Sequence, residues 1–409
     1  MKLSVIIVSY NVRHYLEQCI RSVLSSVPSG ISAEIFIVDN ASQDGTIDYL
    51  RQRFKRTSGS TTIRIIANAR NIGFGRANNQ AIRKATGEYI LFLNPDTLVT
   101  EQTLTDCLAF ADSHPETGGL GVKMLRDNGS LALESRRGHP TPWTAFCKMT
   151  GLAALFPHSR RFGRYYLRYL DENTASEIDI ISGAFMLVRK AALDKSGMFD
   201  EEFFMYGEDI DLSYRLRLAG YKNYYLPVLI LHYKGESTQK SSYKYVHIFY
   251  EAMLIFFKKH YRHYGIFFTF PIKTAILVRG LIALIGQQVT NIKAFITPYR
   301  RNREDRYLYL GTHPDAICEL AAQWSLNIDI IETTVRQTPE GHLASGIDTA
   351  SYTYIVYDVC DFSRLDILNL FSRSDHRKFI GTFDPQTHVL ITGADTFFFN
   401  PVKNEQQLN

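Results

Sequence analysis

Short apolar runs rich in β-branched residues recur through the first half of the chain: "LSVIIVS" at 3–9, "EIFIVD" at 34–39, "TIRIIAN" at 62–68 and "YILFLN" at 89–94. Each is too short for a helix and reads as a strand buried on both faces. Between them, "RHYLEQCIRSVLSS", "GTIDYLRQRF" and "GRANNQAIRKAT" carry apolar residues at helical spacing. Strand and helix in alternation predict an α/β domain, an open and mostly parallel sheet with helices on both faces. "DIISGAFMLVRK" (179–190) and "YYLPVLILHYKG" (224–235) predict two further strands. "EDIDLSYRLRLAG" between them predicts a helix closed by Gly220.

The pattern changes after about residue 245. "YGIFFTFPIKTAILVRGLIALIG" (264–286) is strongly apolar but contains Pro271, Lys273 and Arg279, and basic clusters flank it. Charges and a proline inside the run make a bilayer crossing costly. An interfacial helix with basic anchors is the preferred reading, ahead of a core helix or a span. From 306 a strand–helix alternation restarts with "RYLYLGTHPDAICELAAQW", which has the look of a Rossmann-like unit without its glycines. The expected divisions are thus an α/β domain over 1–245, a membrane-associating helical segment over 246–305, a small Rossmann-like α/β domain of unknown role over 306–395, structural by default and otherwise a binder of a partner enzyme or acceptor, and a disordered tail over 396–409.

Composition narrows the class. With 409 residues, 45% hydrophobic and 21% charged, the chain can fill more than one core. A net charge of +5 is too mild to argue for nucleic acid. Five scattered cysteines without a CxxC read as free thiols in a reducing compartment. The N-terminal "MKLSVIIVSYN" is apolar for too few residues to be a signal peptide, so a cytoplasmic location is expected.

Polar residues collect where ligands bind in such sheets, beyond the carboxyl ends of strands. Ser9-Tyr10-Asn11, Asp39-Asn40, Asn68 to Asn71, and Asn94-Pro95-Asp96 all follow predicted strands. Asp39 reads either as an acceptor for a base imide or ribose hydroxyl, or as a turn residue. "NARNIGFGRANNQA" offers Gly73 for close backbone approach, with Asn78 and Asn79 opening a helix that suits a phosphate. It lacks the third glycine of a dinucleotide fingerprint and follows the wrong strand, which argues against a nicotinamide dehydrogenase. Asp96 offers a carboxylate to a hard divalent cation, and His232 after "VLIL" is the natural second ligand. In the predicted helix from Glu208, Asp209 shares the inward face of Leu212 and Leu216. Burial there can raise a carboxyl toward a general base's range. Asp211 faces elsewhere, with Arg215 four residues on, as an expected surface pair.

In order and spacing, "VIIVSYN", "IVDNASQDGT", "NIGFGRANN", "LFLNPDTLV", "ISGAFMLVRK" and "FDEEFFMYGEDIDLSYRL" resemble the family-2 glycosyltransferases, in particular their rhamnosyltransferase-like branch. The resemblance covers roughly residues 1–240. It implies a GT-A fold, a nucleotide-diphosphate sugar donor, Mg²⁺ or Mn²⁺, and inversion at the anomeric carbon. Asn94-Pro95-Asp96 stands where many relatives carry DxD, so that Asp96 alone supplies the metal carboxylate. Asp39 matches the base-contacting position, Asp209 the catalytic base with Glu208 in support, and "LHYKGES" the segment that brings His232 to the metal. The implied acceptor is a saccharide, lipid-linked in many of these enzymes, reached at the inner face of the cell membrane by a peripheral protein. A homo-oligomer is compatible with this reading. The competing class is a non-catalytic nucleotide- or saccharide-binding module on the same fold, against which the intact set of Asp39, Asp96 and Asp209 argues.

Overall fold

The computed structural model describes residues 1–54, 61–233, 243–261 and 305–399. The first sheet is built from β1 (Leu3–Ser9), β2 (Ala33–Asp39), β3 (Thr61–Ala67), β4 (Tyr89–Leu93), β5 (Thr97–Val99), β6 (Thr117–Leu125), β7 (Ser176–Ile178), β8 (Phe185–Arg189) and β9 (Lys222–His232). Their order is β3-β2-β1-β4-β8-β6-β9-β5, with β7 also paired to β9. Strands β1 to β4, β6 and β9 run one way, and β5, β7 and β8 run the other.

Side chains that alternate along a strand feed opposite faces of the sheet. Val5, Ile7, Ile35, Ile37, Leu91 and Leu93 join one core, under the helices Arg13–Ser26 and Thr103–Ser113. Ile6, Val8, Phe36, Val38, Ile90 and Phe92 join the other, with the helices Phe74–Ile82 and Glu208–Leu218. Both faces are therefore covered, as a central strand's unbroken apolar run demands. Two expectations need correction. The run at 62–68 is not buried on both faces: β3 lies at the sheet edge, and Thr62 and Arg64 are solvent-facing or partly so. The run at 179–190 is a strand only from Phe185, because the chain bends at Gly183 and Ala184 before entering it.

The helix Tyr243–His260 crosses the expected division at 245. Its Ala252 and Phe256 pack with Phe203 rather than facing a membrane. Segment 264–286 lies outside the described residues, and among those described no helix is long and apolar enough to cross a membrane.

The second sheet contains β10 (Arg306–Gly311), β11 (Asn327–Glu332), β12 (Tyr354–Asp358), β13 (Phe379–Asp384), β14 (Val389–Thr392) and β15 (Thr396–Phe398). Their order is β11-β10-β12-β13-β14-β15, the first four parallel and the last two antiparallel. Residues 396–398, expected in the tail, form its last strand because Phe397 packs on Trp324 and Phe398 stacks on His14. One face of this sheet, through Leu308, Leu310, Ile355, Tyr357, Ile380 and Ile391, shares a core with Val12, Tyr15, Leu98, Leu125, Leu231 and Tyr233 of the first domain.

Candidate active site

Strand β4 ends at Leu93, and Asn94-Pro95-Asp96 turns the chain into β5, which runs antiparallel along the end of β9 with Thr97 opposite His232. That pairing brings residues distant in sequence side by side. His232 Nε2 lies 3.4 Å from Asp96 Oδ1 and 3.4 Å from Asn94 Nδ2, and the Tyr233 amide donates to the Asp96 carbonyl at 3.0 Å. Both Asp96 and His232 are buried. His232 Nδ1 is a buried nitrogen with no hydrogen-bond partner among the described residues. A carboxylate beside an imidazole with a nitrogen to spare fits a cation such as Mn²⁺ or Mg²⁺ with substrate oxygens completing its shell.

Asn94 and His232 line a cavity of about 280 Å³, and Glu208 and Asp209 line it too. Asp96 itself is not among the lining residues; it stands next to the cavity, 3.4 Å from His232 Nε2, while Asn94 and His232 face the space that Asp209 faces. Asp209 opens the helix Glu208–Leu218. Its Oδ2 accepts from the guanidinium of Arg137 and, at 3.1 Å, from the Gly183 amide. A Cβ at Gly183 would lie 3.3 Å from Asp209 Cβ and 3.7 Å from Oδ2, so a larger residue there would press on the carboxylate by a few tenths of an ångström.

Its neighbours depart from expectation. The carboxyl that burial raises is Glu208, which burial and then the Asp209 charge push up to about 8, against the pull of Arg137. Asp211 is not a surface partner of Arg215; it is fully buried. Arg215 Nε at 2.7 Å, Lys259 Nζ at 2.9 Å and His260 Nε2 at 2.7 Å surround it. Burial alone would raise its carboxyl, but the His260 contact, the Arg215 charge and the Lys259 contact outweigh that and hold it at about 2. Helical periodicity placed Asp211 outward because it could not reveal a second helix, Tyr243–His260, laid over that side.

The other expected residues divide into two groups. Ser9 and Asp39 sit opposite each other at the ends of β1 and β2. Both are buried, and Ser9 Oγ and Asp39 Oδ1 have no hydrogen-bond partner among the described residues. Such atoms are expensive to bury unless a ligand meets them. Beside them Asn40 Nδ2 donates to the Gly73 carbonyl, Tyr10 is exposed, and Asn11, at positive φ, accepts from the Gln43 amide to hold the 39–44 loop. The second group is committed to the fold. Asn71 Oδ1 accepts from the Gly73 amide. A Cβ on Gly73 would lie 2.6 Å from the Phe204 carbonyl, so the close approach is to protein. The first amide of the helix Phe74–Ile82 donates to the same carbonyl, so that amide is committed to protein. Asn78 Nδ2 donates to the Phe74 carbonyl, and Asn79 clamps Phe199 through both amide atoms. Neither reaches the cavity.

Sequence reading missed Arg137, and with it Lys148, Tyr165 and Tyr166, which line the same cavity. All lie between β6 and β7, where no strong periodicity drew attention. The signal available was "SRRGHP", an arginine pair without an acid nearby in sequence on its C-terminal side.

Residues 4–197 match the family model described as glycosyl transferase family 2. The match takes in the first sheet as far as β8 and the helix that follows it, just under half of the chain. The chain is 27% identical over 294 residues to the N-acetylglucosaminyl-diphospho-decaprenol L-rhamnosyltransferase of Mycobacterium tuberculosis, covering 69% of this chain and 91% of the relative. It is 31% identical over 171 residues to the rhamnosyltransferase WbbL of Escherichia coli, covering 39% of this chain and 61% of the relative. Among solved structures, Staphylococcus aureus TarS 1–349 in complex with UDP-GlcNAc matches with a TM-score of 0.41 at 22% identity, over 62% of this chain and 66% of that one.

Proposed function

We propose that the glycosyltransferase moves a sugar, L-rhamnose from dTDP-rhamnose or a sugar from a UDP donor, onto a hydroxyl of a lipid-linked saccharide, with inversion and a divalent metal. The product belongs to a cell-surface polysaccharide. The observation that carries this reading is that Asn94, His232 and Asp209 line one cavity. The name of the mycobacterial relative, an L-rhamnosyltransferase acting on a diphospho-decaprenol saccharide, supports the donor and acceptor class.

In this reading Ser9 and Asp39 receive the nucleoside. Asp96 and His232 would hold Mg²⁺ or Mn²⁺, which offsets charge on the departing diphosphate. Asp209 accepts the proton of the acceptor hydroxyl as that oxygen attacks the sugar carbon from the face opposite the leaving group. Arg137 and the Gly183 amide aim the carboxylate. Glu208, protonated near neutrality, adds no second negative charge directly beside Asp209.

Asp209→Asn is expected to lower kcat by roughly 10²–10⁴-fold while donor affinity survives. Asp96→Ala is expected to abolish the Mn²⁺-dependent part of donor binding. Calorimetric titration of nucleotide sugars with and without Mn²⁺, beside turnover, checks both. An Asp209→Asn enzyme with near-normal turnover removes the assigned base.

A further inference from the structure

The stretch between β6 and β7 that supplies Lys148, Tyr165 and Tyr166 to the cavity has an unusual composition. Residues 136–170 contain no Asp or Glu, yet hold Arg136, Arg137, Lys148, Arg160, Arg161, Arg164 and Arg168 among several aromatic residues. The first two arginines are spent inside, Arg136 on the Leu170 carbonyl and Arg137 on Asp209. Arg160, Arg161, Arg164 and Arg168 are exposed, and none has an acidic partner at ion-pair distance among the described residues.

Large apolar side chains stand out beside them. Trp143, Phe146, Leu155 and Phe156 are 44%, 50%, 72% and 52% exposed. They form one patch: Trp143 lies 5.7 Å from Phe146 and 6.1 Å from Phe162 by ring centroid, and Phe162 lies 5.5 Å from Phe156. The Arg161 guanidinium sits 5.7 Å from the Trp143 ring centroid. Contiguous exposed apolar side chains mark an interaction surface. Aromatic residues interleaved with arginine, and no acid among them, match the interface of a bilayer bearing negative headgroups.

We propose that residues 143–168 dock the enzyme on an anionic phospholipid surface, with Trp143, Phe146, Leu155 and Phe156 seated among the headgroups and the arginines on lipid phosphates. The patch and the cavity share one segment, so docking would hold the cleft against the membrane. The purpose of docking rests on the proposed lipid-linked acceptor; the docking itself does not, and is tested without acceptor.

The protein contains two tryptophans, Trp143 and Trp324, and the Trp324 indole N–H is bound to the Phe398 carbonyl. Comparing the full chain with its Trp143→Phe variant isolates the Trp143 signal without disturbing a buried site. Vesicles of phosphatidylcholine, with and without phosphatidylglycerol and with brominated acyl chains, are the probe. Expected with anionic vesicles are a blue shift and bromine quenching in the parent that Trp143→Phe lacks. Arg160→Ser with Arg161→Ser is expected to weaken vesicle binding about tenfold. Binding with an unmoved Trp143 spectrum would place the contact elsewhere in the chain and overturn the proposal, as would no binding or equal binding to neutral vesicles. Transfer to a soluble acceptor analogue, measured separately, tells failure of this surface from failure of the proposed reaction.

Discussion

At the residue scale, two adjacent carboxyls at one helix start have been given different states by their partners. Asp209 is held by a guanidinium and a backbone amide, whereas Glu208 Oε2 is buried without a hydrogen bond among the described residues. The Glu208 carboxyl accordingly rises from 4.5 to about 8. Below pH 4.5 it is protonated in both folded and unfolded chains. Between 4.5 and about 8 the unfolded chain ionises and the folded one does not, so stability falls as pH rises through that window, by roughly a few kcal/mol at most. Glu208→Gln removes this dependence. Its melting temperature is expected to exceed that of the parent at pH 8 and to converge with it toward pH 4.5, as followed by circular dichroism. A variant with the parent's pH profile would show that Glu208 is ionised in the fold.

At the element scale, the helix Glu208–Leu218 must be fixed on two sides for Asp209 to face the cavity. Leu212 and Leu216 hold it to the sheet, and Asp211 ties it to Lys259 and His260 at the end of the helix Tyr243–His260. Removing one member of a buried charge network leaves the others uncompensated, a cost of about 3–5 kcal/mol. Asp211→Asn is expected to lose that much in urea unfolding and to free the second helix first, read by hydrogen exchange over 243–261. Because the Asp211 carboxyl is held at about 2, below its usual 3.8, its contribution is present above pH 3.8 and disappears as pH falls through about 2. The turn at Asn94-Pro95-Asp96 works similarly: alone it is a bend, and only β5 pairing with β9 brings it beside His232.

At the scale of the whole molecule, the second domain is packed behind the Asp96–His232 pair. Tyr233, next to His232, lies 3.1 Å through its hydroxyl from Thr382 Oγ1, Gln18 Nε2 donates to the same oxygen at 2.6 Å, and Tyr15 donates to the Thr392 carbonyl at 2.8 Å. With a core in common, the two domains are expected to unfold in one transition by calorimetry. Thr382→Val strips the oxygen from the buried Tyr233 hydroxyl and the half-buried Gln18 amide at a cost of about 1–3 kcal/mol. It should shift that single transition and leave no separate melting of the second domain; two resolved transitions in the parent would contradict a shared core.

The strands β1, β2 and β4 were legible from the chain because a central strand must be apolar on both faces, and no other short segment pattern satisfies that. The polar clusters at their ends, Asp39 and Asp96 among them, followed from the same register. The face shared with Leu212 and Leu216 predicted a buried Asp209, whereas the structure leaves Asp209 part-buried and buries Glu208 and Asp211 on either side of it. Long-range packing decided the rest. Arg137 reaches Asp209 from a stretch of weak periodicity, Asp211 was turned inward by a helix that its own sequence does not encode, and Gly73, Asn78 and Asn79 were claimed by Phe204, Phe74 and Phe199 respectively. Periodicity reports which face of an element is buried, whereas the identity of the group covering the opposite face depends on contacts between segments far apart in the chain. That is why the strand ends could be read in one dimension, and the partners of each carboxylate only in three.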